Sequence, residues 1–125
     1  MNTDELLFFN SEPDALPLYE IFRTRVLKAN PDTRIEVRKT QISFFSRHLF
    51  AAVSFLPIRK AKERPRPYLT VTFSLPYRKE SPRVDAVTEP YPNRWTHHIM
   101  IGRKEELNDE LFDWIREAAV FAERK

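Results

Sequence analysis

The chain of 125 residues contains no cysteine and a single glycine. Without cysteine it has no disulfide framework, no thiolate-bound metal and no thiol nucleophile. A single glycine excludes a phosphate-binding P-loop, a dinucleotide-binding glycine turn and a glycine-flanked nucleophile elbow. Long apolar runs are also missing, since the longest extends only from Leu49 to Leu56 and a bilayer-spanning helix needs roughly 20 apolar residues.

The remaining composition is that of a small globular domain. Hydrophobic residues make up 42% of the chain and aromatic residues 13%, which is enough to build a core. The length indicates a single domain over residues 1–125. The acidic stretch Met1–Glu5 does not have the basic and apolar regions of a secretory signal, so we expect a soluble, cytoplasmic protein with no membrane segment.

Apolar spacing predicts helices at both ends of the chain. A short helical turn is expected over Thr3–Phe9, followed by a first long helix over Ser11–Ala29 that Ser11 would cap. The second long helix is predicted over Asn108–Glu123, with Asn108 or Asp109 as its cap.

The middle of the chain alternates apolar and polar residues, which is typical of strands with one buried and one exposed face. Five such strands are predicted, over residues 34–38, 41–46, 49–56, 68–75 and 95–101, and long loops are predicted at Pro57–Pro67 and Pro76–Arg94. The sequence thus predicts an α+β domain, with the N- and C-terminal helices packed on one face of an antiparallel sheet of about five strands. The other face of the sheet would be polar and uncovered.

Polar side chains of the strands form the first candidate site. With regular strands, the uncovered face carries Gln41, Ser43, Thr70, Thr72, Ser74, Thr96 and His98, with Lys39, Thr40 and Arg94 near its rim. Hydroxyl, amide, imidazole and cationic groups together can bind an anionic or nucleotide-like ligand. The competing interpretation is an ordinary solvated face, because threonine is common in half-exposed strands.

Two of the three histidines are neighbours on the last predicted strand. His97 and His98 therefore point to opposite faces and do not both ligate one metal ion. His97 has the apolar phase of Trp95 and Ile99, which predicts a hydrogen-bonded core histidine. His98 has the polar phase and is the candidate for proton transfer or ligand contact. No spacing in the chain matches a metal motif, so neither a metal nor a cofactor is predicted.

The second candidate site is a basic loop in the connection Pro57–Pro67. It contains Arg59, Lys60, Lys62, Arg64 and Arg66. This concentration of positive charge suits phosphate contacts, which give affinity without reading a base sequence. The alternative is that the loop only keeps the domain soluble, and no recognised nucleic-acid-binding motif accompanies it.

Four segments of the chain resemble a known family. They are Lys39–Phe44 (KTQISF), Phe50–Val53 (FAAV), Arg94–His98 (RWTHH) and Leu111–Glu117 (LFDWIRE). Together they are similar to the bacterial "domain of unknown function 5655" family, and the similarity extends from Leu6 to Ala118. The resemblance implies a small bacterial α+β domain that occurs alone or appended to other domains. Some relatives carry a "predicted transport protein" description, and the family offers no catalytic residues to assign to this chain.

Three functions remain open from the sequence. The leading hypothesis is a non-enzymatic binding or accessory module that recognises an anionic partner, with nucleic acid the first candidate, through the sheet face and the basic loop. The first alternative is a small-molecule binder or hydrolase-like enzyme with a pocket beside His98. A deep, mostly apolar cavity there favours this alternative, whereas a flat surface counts against it. The second alternative is a protein-interaction domain, for example a homodimer formed through an edge strand or through Phe8 and Phe9.

Overall fold

The computed structural model describes residues 1–124 and confirms the predicted α+β architecture. The helices are α1 (Thr3–Phe8), α2 (Leu16–Ala29) and α3 (Asp109–Glu123). The strands are β1 (Arg34–Val37), β2 (Gln41–Phe45), β3 (Leu49–Ser54), β4 (Leu69–Leu75), β5 (Ala86–Tyr91) and β6 (Arg94–Ile101). All pair antiparallel, in the order β1-β2-β3-β4-β6-β5.

The sheet has six strands rather than about five, because β5 forms inside the connection Pro76–Arg94. The prolines of this connection are typical of an irregular loop and hide the strand. However, β5 lies at the edge of the sheet, where the missing N–H of Pro90 costs no ladder hydrogen bond. The turn into β6 places Asn93 at a φ of 61°, a conformation that asparagine tolerates better than most residues.

The first long helix starts later than the sequence predicted. A 3₁₀ turn occupies Pro13–Ala15, and α2 begins at Leu16 rather than at Ser11. Pro17 explains the difference, since proline fits only the first turn of an α-helix. The C-terminal helix begins as predicted, and the side chain of Asn108 caps it.

The two long helices pack on the apolar face of the sheet and form the core with it. The rings of Phe22 in α2 and Phe44 in β2 meet edge to face with their centroids 5.3 Å apart. The rings of Trp114 in α3 and Phe73 in β4 lie 6.2 Å apart. Aromatic pairs of this kind bury large apolar areas and fix the helices to the sheet.

A register shift at the start of β3 directs the side chain of Phe50 into this core. Phe44 pairs with Ala51 whereas Phe45 pairs with Leu49, so Phe50 has no residue opposite it. Phe50 is buried in the same cluster as Ala51, as expected for a β-bulge. The shift is confined to this end of the strand, because residues 51–54 pair with residues 44–41 without interruption.

Helix α1 is attached to α2 by a buried carboxylate. Glu5 is only 1% exposed and accepts hydrogen bonds from the hydroxyl of Tyr19 and, at 2.7 Å, from Nε of Arg23. It also accepts a bond from the backbone N–H of Asn2, whose side chain caps α1. Burial alone would raise the pKa of Glu5, but the hydrogen bonds from Arg23 and Tyr19 outweigh it and lower that pKa. The carboxylate therefore stays ionised and holds α1 in place.

Replacing Glu5 by alanine should lower the free energy of unfolding by about 3 kcal/mol, because Arg23 and Tyr19 lose a buried partner. The matched control is Asp113→Ala, which removes one member of the exposed Arg116–Asp113 pair and should cost less than about 0.5 kcal/mol. Urea denaturation measures both values. Equal losses in the two variants would contradict the anchoring role of Glu5.

Candidate ligand-binding cavity

The polar face of the sheet, opposite α2 and α3, has a floor of small side chains. Strand pairing places Ser43, Ala52, Thr72 and His98 in one row across β2, β3, β4 and β6. The next row contains Gln41, Ser54, Thr70 and Met100. Serine, alanine and threonine fill little space, so these two rows leave room above the sheet.

The segment after β3 crosses this face and covers one end of it. The hydroxyl of Thr70 donates to the carbonyl of Leu56 at 2.8 Å. The guanidinium of Arg59 then reaches the carboxylate of Asp85 at 2.9 and 3.2 Å and the carbonyl of Met100 at 3.3 Å. Thr70 and Met100 are buried in consequence. The expectation of a polar face that is uncovered throughout is therefore wrong at this end.

The rest of the connection between β3 and β4 is fixed to the same region. The hydroxyl of Tyr68 donates to the carbonyl of Phe55 at 2.8 Å. Pro65 packs against Gly102, where an added Cβ would lie only 2.4 Å from the proline side chain. A side chain at this position would push Pro65 away, so the single glycine of the protein permits the approach of the two segments.

Beside the crossing segment, the polar face opens into a cavity of about 570 Å³. The floor consists of Gln41, Ser54, Thr72 and His98. The walls come from the end of α1, the turn between β1 and β2, and the start of the crossing segment, and they consist of Leu7, Phe8, Ser11, Lys39, Thr40, Phe55 and Leu56. This volume and this mixture of apolar and polar groups are typical of sites for small organic ligands.

His98 is the titratable group on the cavity floor. Its Nδ1 lies 2.8 Å from the hydroxyl of Thr72, which leaves Nε2 as the ring nitrogen that can contact a molecule in the cavity. Burial lowers the pKa of His98, so the ring is neutral at pH 7. A neutral ring presents Nε2 as a donor or as an acceptor, according to the tautomer.

Two other polar groups on the floor are oriented by their neighbours. The amide nitrogen of Gln41 donates to the hydroxyl of Ser43 at 2.8 Å, and its carbonyl oxygen remains free to accept. The hydroxyl oxygen of Ser54 accepts from the backbone N–H of Leu56 at 3.2 Å, so its own O–H remains free to donate. Groups that are already oriented lose less conformational entropy when a ligand binds.

Among residues 1–124, Lys39 is the only side chain with a full charge that lines the cavity. These residues contribute no aspartate or glutamate to the lining, and His98 is neutral. Lys39 forms no ion pair within residues 1–124, whereas the neighbouring Arg38 contacts Glu36 at 3.4 Å. The electrostatic potential in the cavity therefore favours an anion over a cation.

The cavity brings together part of the first candidate site. Lys39, Thr40, Gln41, Thr72 and His98 line it. Ser43 is buried next to it and accepts a hydrogen bond from Gln41. Alternation along β2, β4 and β6 was sufficient to place Gln41, Thr72 and His98 on one face, whereas Lys39 and Thr40 lie in the turn before β2. It gave no sign of the walls that α1 and the crossing segment supply.

Thr96 and Arg94 do not join this cavity. Thr96 is one position further along the polar face of β6 than His98, opposite Ser74 of β4. Arg94 lies at the beginning of β6, where its guanidinium is 5.9 Å from the ring centroid of Tyr91. The strand carries these two side chains away from the crossing segment, because each further residue on the same face adds nearly 7 Å along a strand at about 3.3 Å per residue.

The basic loop does not act as one surface. Arg59 binds Asp85, and Nε of Arg64 donates to the carbonyl of Arg59 at 2.8 Å. These two arginines therefore hold the loop to the domain. The remaining three, Lys60, Lys62 and Arg66, are exposed and form no ion pair within residues 1–124.

His97 is a core histidine, as predicted. It is fully buried and stacks on the ring of Phe73 with centroids 5.0 Å apart. Its Nε2 accepts a hydrogen bond from the backbone N–H of Lys79 at 2.9 Å, which requires an unprotonated nitrogen. Burial lowers the pKa of His97, and the charge of Lys79 contributes to the shift. The role of His97 is therefore to pack the core rather than to bind a ligand.

Residues 1–124 form neither a metal site nor a membrane span. No group of three or more histidine, aspartate or glutamate side chains in this part of the chain is arranged to hold a metal ion. None of the helices formed by these residues is both long and apolar enough to cross a bilayer.

Comparison with known proteins gives one match. A family model described as "Domain of unknown function (DUF5655)" matches residues 7–121. The matched range begins at Leu7 and therefore includes every residue that lines the cavity. The curated proteins and the solved structures that were compared with the chain gave no match.

Acidification should destabilise the fold through His97 and His98. Burial lowers the pKa of both below the value near 6.5 of an unfolded chain, so below that pH the unfolded chain binds more protons and stability falls. The stability that the two neutral histidines contribute is fully present above about pH 7.5 and is lost as the pH falls below about 6.5. The midpoint of urea denaturation, measured on either side of this pH range, gives the loss of stability. The substitution His98→Asn should make that loss smaller. Identical midpoints in the unmodified protein would contradict the assignment.

Proposed function

The chain belongs to the DUF5655 family of domains of unknown function, and we propose that it is a non-enzymatic module that binds a small organic anion in the cavity on the polar face of its sheet. The observation that carries this proposal is the cavity of about 570 Å³, to which the described residues contribute Lys39 and neutral hydrogen-bonding groups but no carboxylate. A concave site of this size beside His98 favours a small molecule over a long polymer as the ligand.

The charge of the cavity supports an anion as the bound species. Lys39 is the single unpaired cation at the wall, and the Ser54 hydroxyl is a free donor on the floor. An anionic group that accepts from both would exchange water for charge-assisted hydrogen bonds, which are stronger than neutral ones. A cationic ligand would face Lys39 without any compensating carboxylate in the lining.

The geometry of His98 supports binding rather than hydrolysis. In a Ser–His–acid triad, one imidazole nitrogen takes the proton of the nucleophile and a carboxylate orients the other nitrogen. Here Nδ1 is next to the Thr72 hydroxyl, and no carboxylate of residues 1–124 lines the cavity to orient Nε2. Thr72 and His98 therefore form a hydrogen-bonded pair that can recognise a ligand, but they do not have the third group of a triad.

Lys39→Ala should weaken the binding of a small carboxylate such as butanoate by about fivefold, because an exposed charge-assisted hydrogen bond contributes about 1 kcal/mol. Amide chemical shifts in ¹⁵N-labelled protein give the dissociation constant and map the site. The shifts should change most at Lys39, Gln41 and His98.

The matched control for this measurement is Lys104→Ala, which removes an exposed lysine that does not line the cavity. It should leave the affinity for butanoate unchanged. Equal weakening by both substitutions would show a non-specific effect of net charge. Butanamide, the neutral analogue of butanoate, should bind less tightly, and equal affinity for the two would overturn the choice of an anion.

A second candidate function concerns the exposed part of the basic loop. Lys60, Lys62 and Arg66 have no ion-pair partner within residues 1–124. Unpaired cations on an ordered loop can contact phosphates of a single-stranded nucleic acid. This function needs no cavity and is independent of Lys39.

If the loop binds single-stranded nucleic acid, the affinity for an oligonucleotide should fall with salt at a logarithmic slope of about −2, as three phosphate contacts require. The triple variant Lys60→Ala, Lys62→Ala, Arg66→Ala should abolish most of this binding, while Lys39→Ala should not change it. Fluorescence anisotropy at several salt concentrations measures the slope. An affinity that changes neither with salt concentration nor with the triple substitution would contradict this function.

A further inference from the structure

The mouth of the cavity carries two exposed leucines. Leu7 is 55% exposed and Leu56 is 45% exposed, and both line the cavity. One exposed leucine is common on a protein surface. Two at the opening of one concave site form apolar surface that a ligand can remove from water.

Hydrogen bonds formed by buried polar side chains fix the backbone near both leucines. Leu7 lies on α1, which the buried Glu5 ties to Arg23 of α2. Leu56 lies on the crossing segment, and its own carbonyl accepts a hydrogen bond from Thr70 at 2.8 Å. The backbone at these positions is therefore fixed while the side chains stay exposed, so the apolar mouth exists before a ligand arrives.

The aromatic side chains of the wall already pack against one another. The rings of Phe8 and Phe55 are stacked with centroids 5.3 Å apart. Phe9 meets the edges of both, at 5.4 and 5.5 Å. The exposed apolar surface at the mouth therefore comes mainly from aliphatic side chains, which suits an alkyl chain better than a ring that needs a free aromatic face.

The polar end of the cavity fits a group with one negative charge. Lys39 supplies a single positive charge, while Ser54 and His98 supply neutral hydrogen-bonding groups. A carboxylate has one charge and two acceptor oxygens. A phosphate monoester carries nearly two charges at pH 7, and the second would find no cation among the lining residues.

We infer that the ligand is an aliphatic carboxylate, with its carboxylate at Lys39 and Ser54 and its alkyl chain leaving the cavity between Leu7 and Leu56. This inference rests on the proposed function, because it assigns a ligand class to the same cavity. It adds the requirement that affinity comes from the chain as well as from the charge.

Titration calorimetry with butanoate, hexanoate and octanoate at constant ionic strength tests the contribution of the chain. Each methylene group that leaves water should increase the affinity by up to about fourfold. The affinity should therefore rise steadily along this series and level off once the chain extends beyond the mouth. Affinity that does not depend on chain length would overturn the inference.

The variants Leu7→Ser and Leu56→Ser test where the chain lies. Each should weaken octanoate binding by about fivefold and leave butanoate binding nearly unchanged, because the shorter chain does not reach the mouth. Both residues are exposed, so the fold should tolerate the change. Val120→Ser is the matched control, since Val120 is 48% exposed on α3 and does not line the cavity. A loss of octanoate affinity in Val120→Ser equal to that in the other two variants would overturn the assignment.

The same series separates failure of this inference from failure of the proposed function. If all three carboxylates bind with equal affinity that depends on Lys39, the anion site stands and the apolar mouth is not used. If octanol binds as tightly as octanoate and Lys39→Ala has no effect, the cavity binds apolar molecules and the anion site is wrong. If none of the carboxylates binds, both proposals are overturned.

Discussion

The ion pair between Arg59 and Asp85 is the contact on which the cavity depends. The pair is partly buried, with side-chain exposures of 31% and 16%, so it is screened by water less than a surface pair is. It also satisfies backbone groups of β6, because Asp85 accepts from the N–H of Met100 at 2.8 Å while Arg59 donates to the carbonyl of the same residue. The contact fixes the segment after β3 across the polar face. Without this segment the cavity would lose the wall that Phe55 and Leu56 form.

The floor of the cavity could be predicted from the sequence, but its walls could not. Strict alternation in β4 and β6 is enough to put Thr72 and His98 on one face, and their antiparallel pairing makes them neighbours. The walls depend on contacts between residues far apart in the chain, such as Glu5 with Arg23 and Leu56 with Thr70. No local pattern encodes contacts of that kind.

The missed strand and the dispersed site residues have separate physical causes. β5 was missed because proline usually marks a loop, whereas Pro90 is accepted at a sheet edge. Arg94 and Thr96 alternate in step with His98 along β6, but residues in step on one strand extend along its whole length. To line the same cavity, residues must also lie at the same level along the strand axis. The place where the crossing segment lies determines that level. Arg59 belongs to the predicted basic loop but contacts Asp85. The number of basic residues in the loop is therefore larger than the number that are unpaired.

A crystal structure of the protein grown with octanoate tests the central claim most directly. We expect the carboxylate within hydrogen-bond distance of Nζ of Lys39 and the alkyl chain between the side chains of Leu7 and Leu56. Electron density for the ligand on the outer surface of α3 or along the basic loop, with the cavity filled only by water, would contradict it.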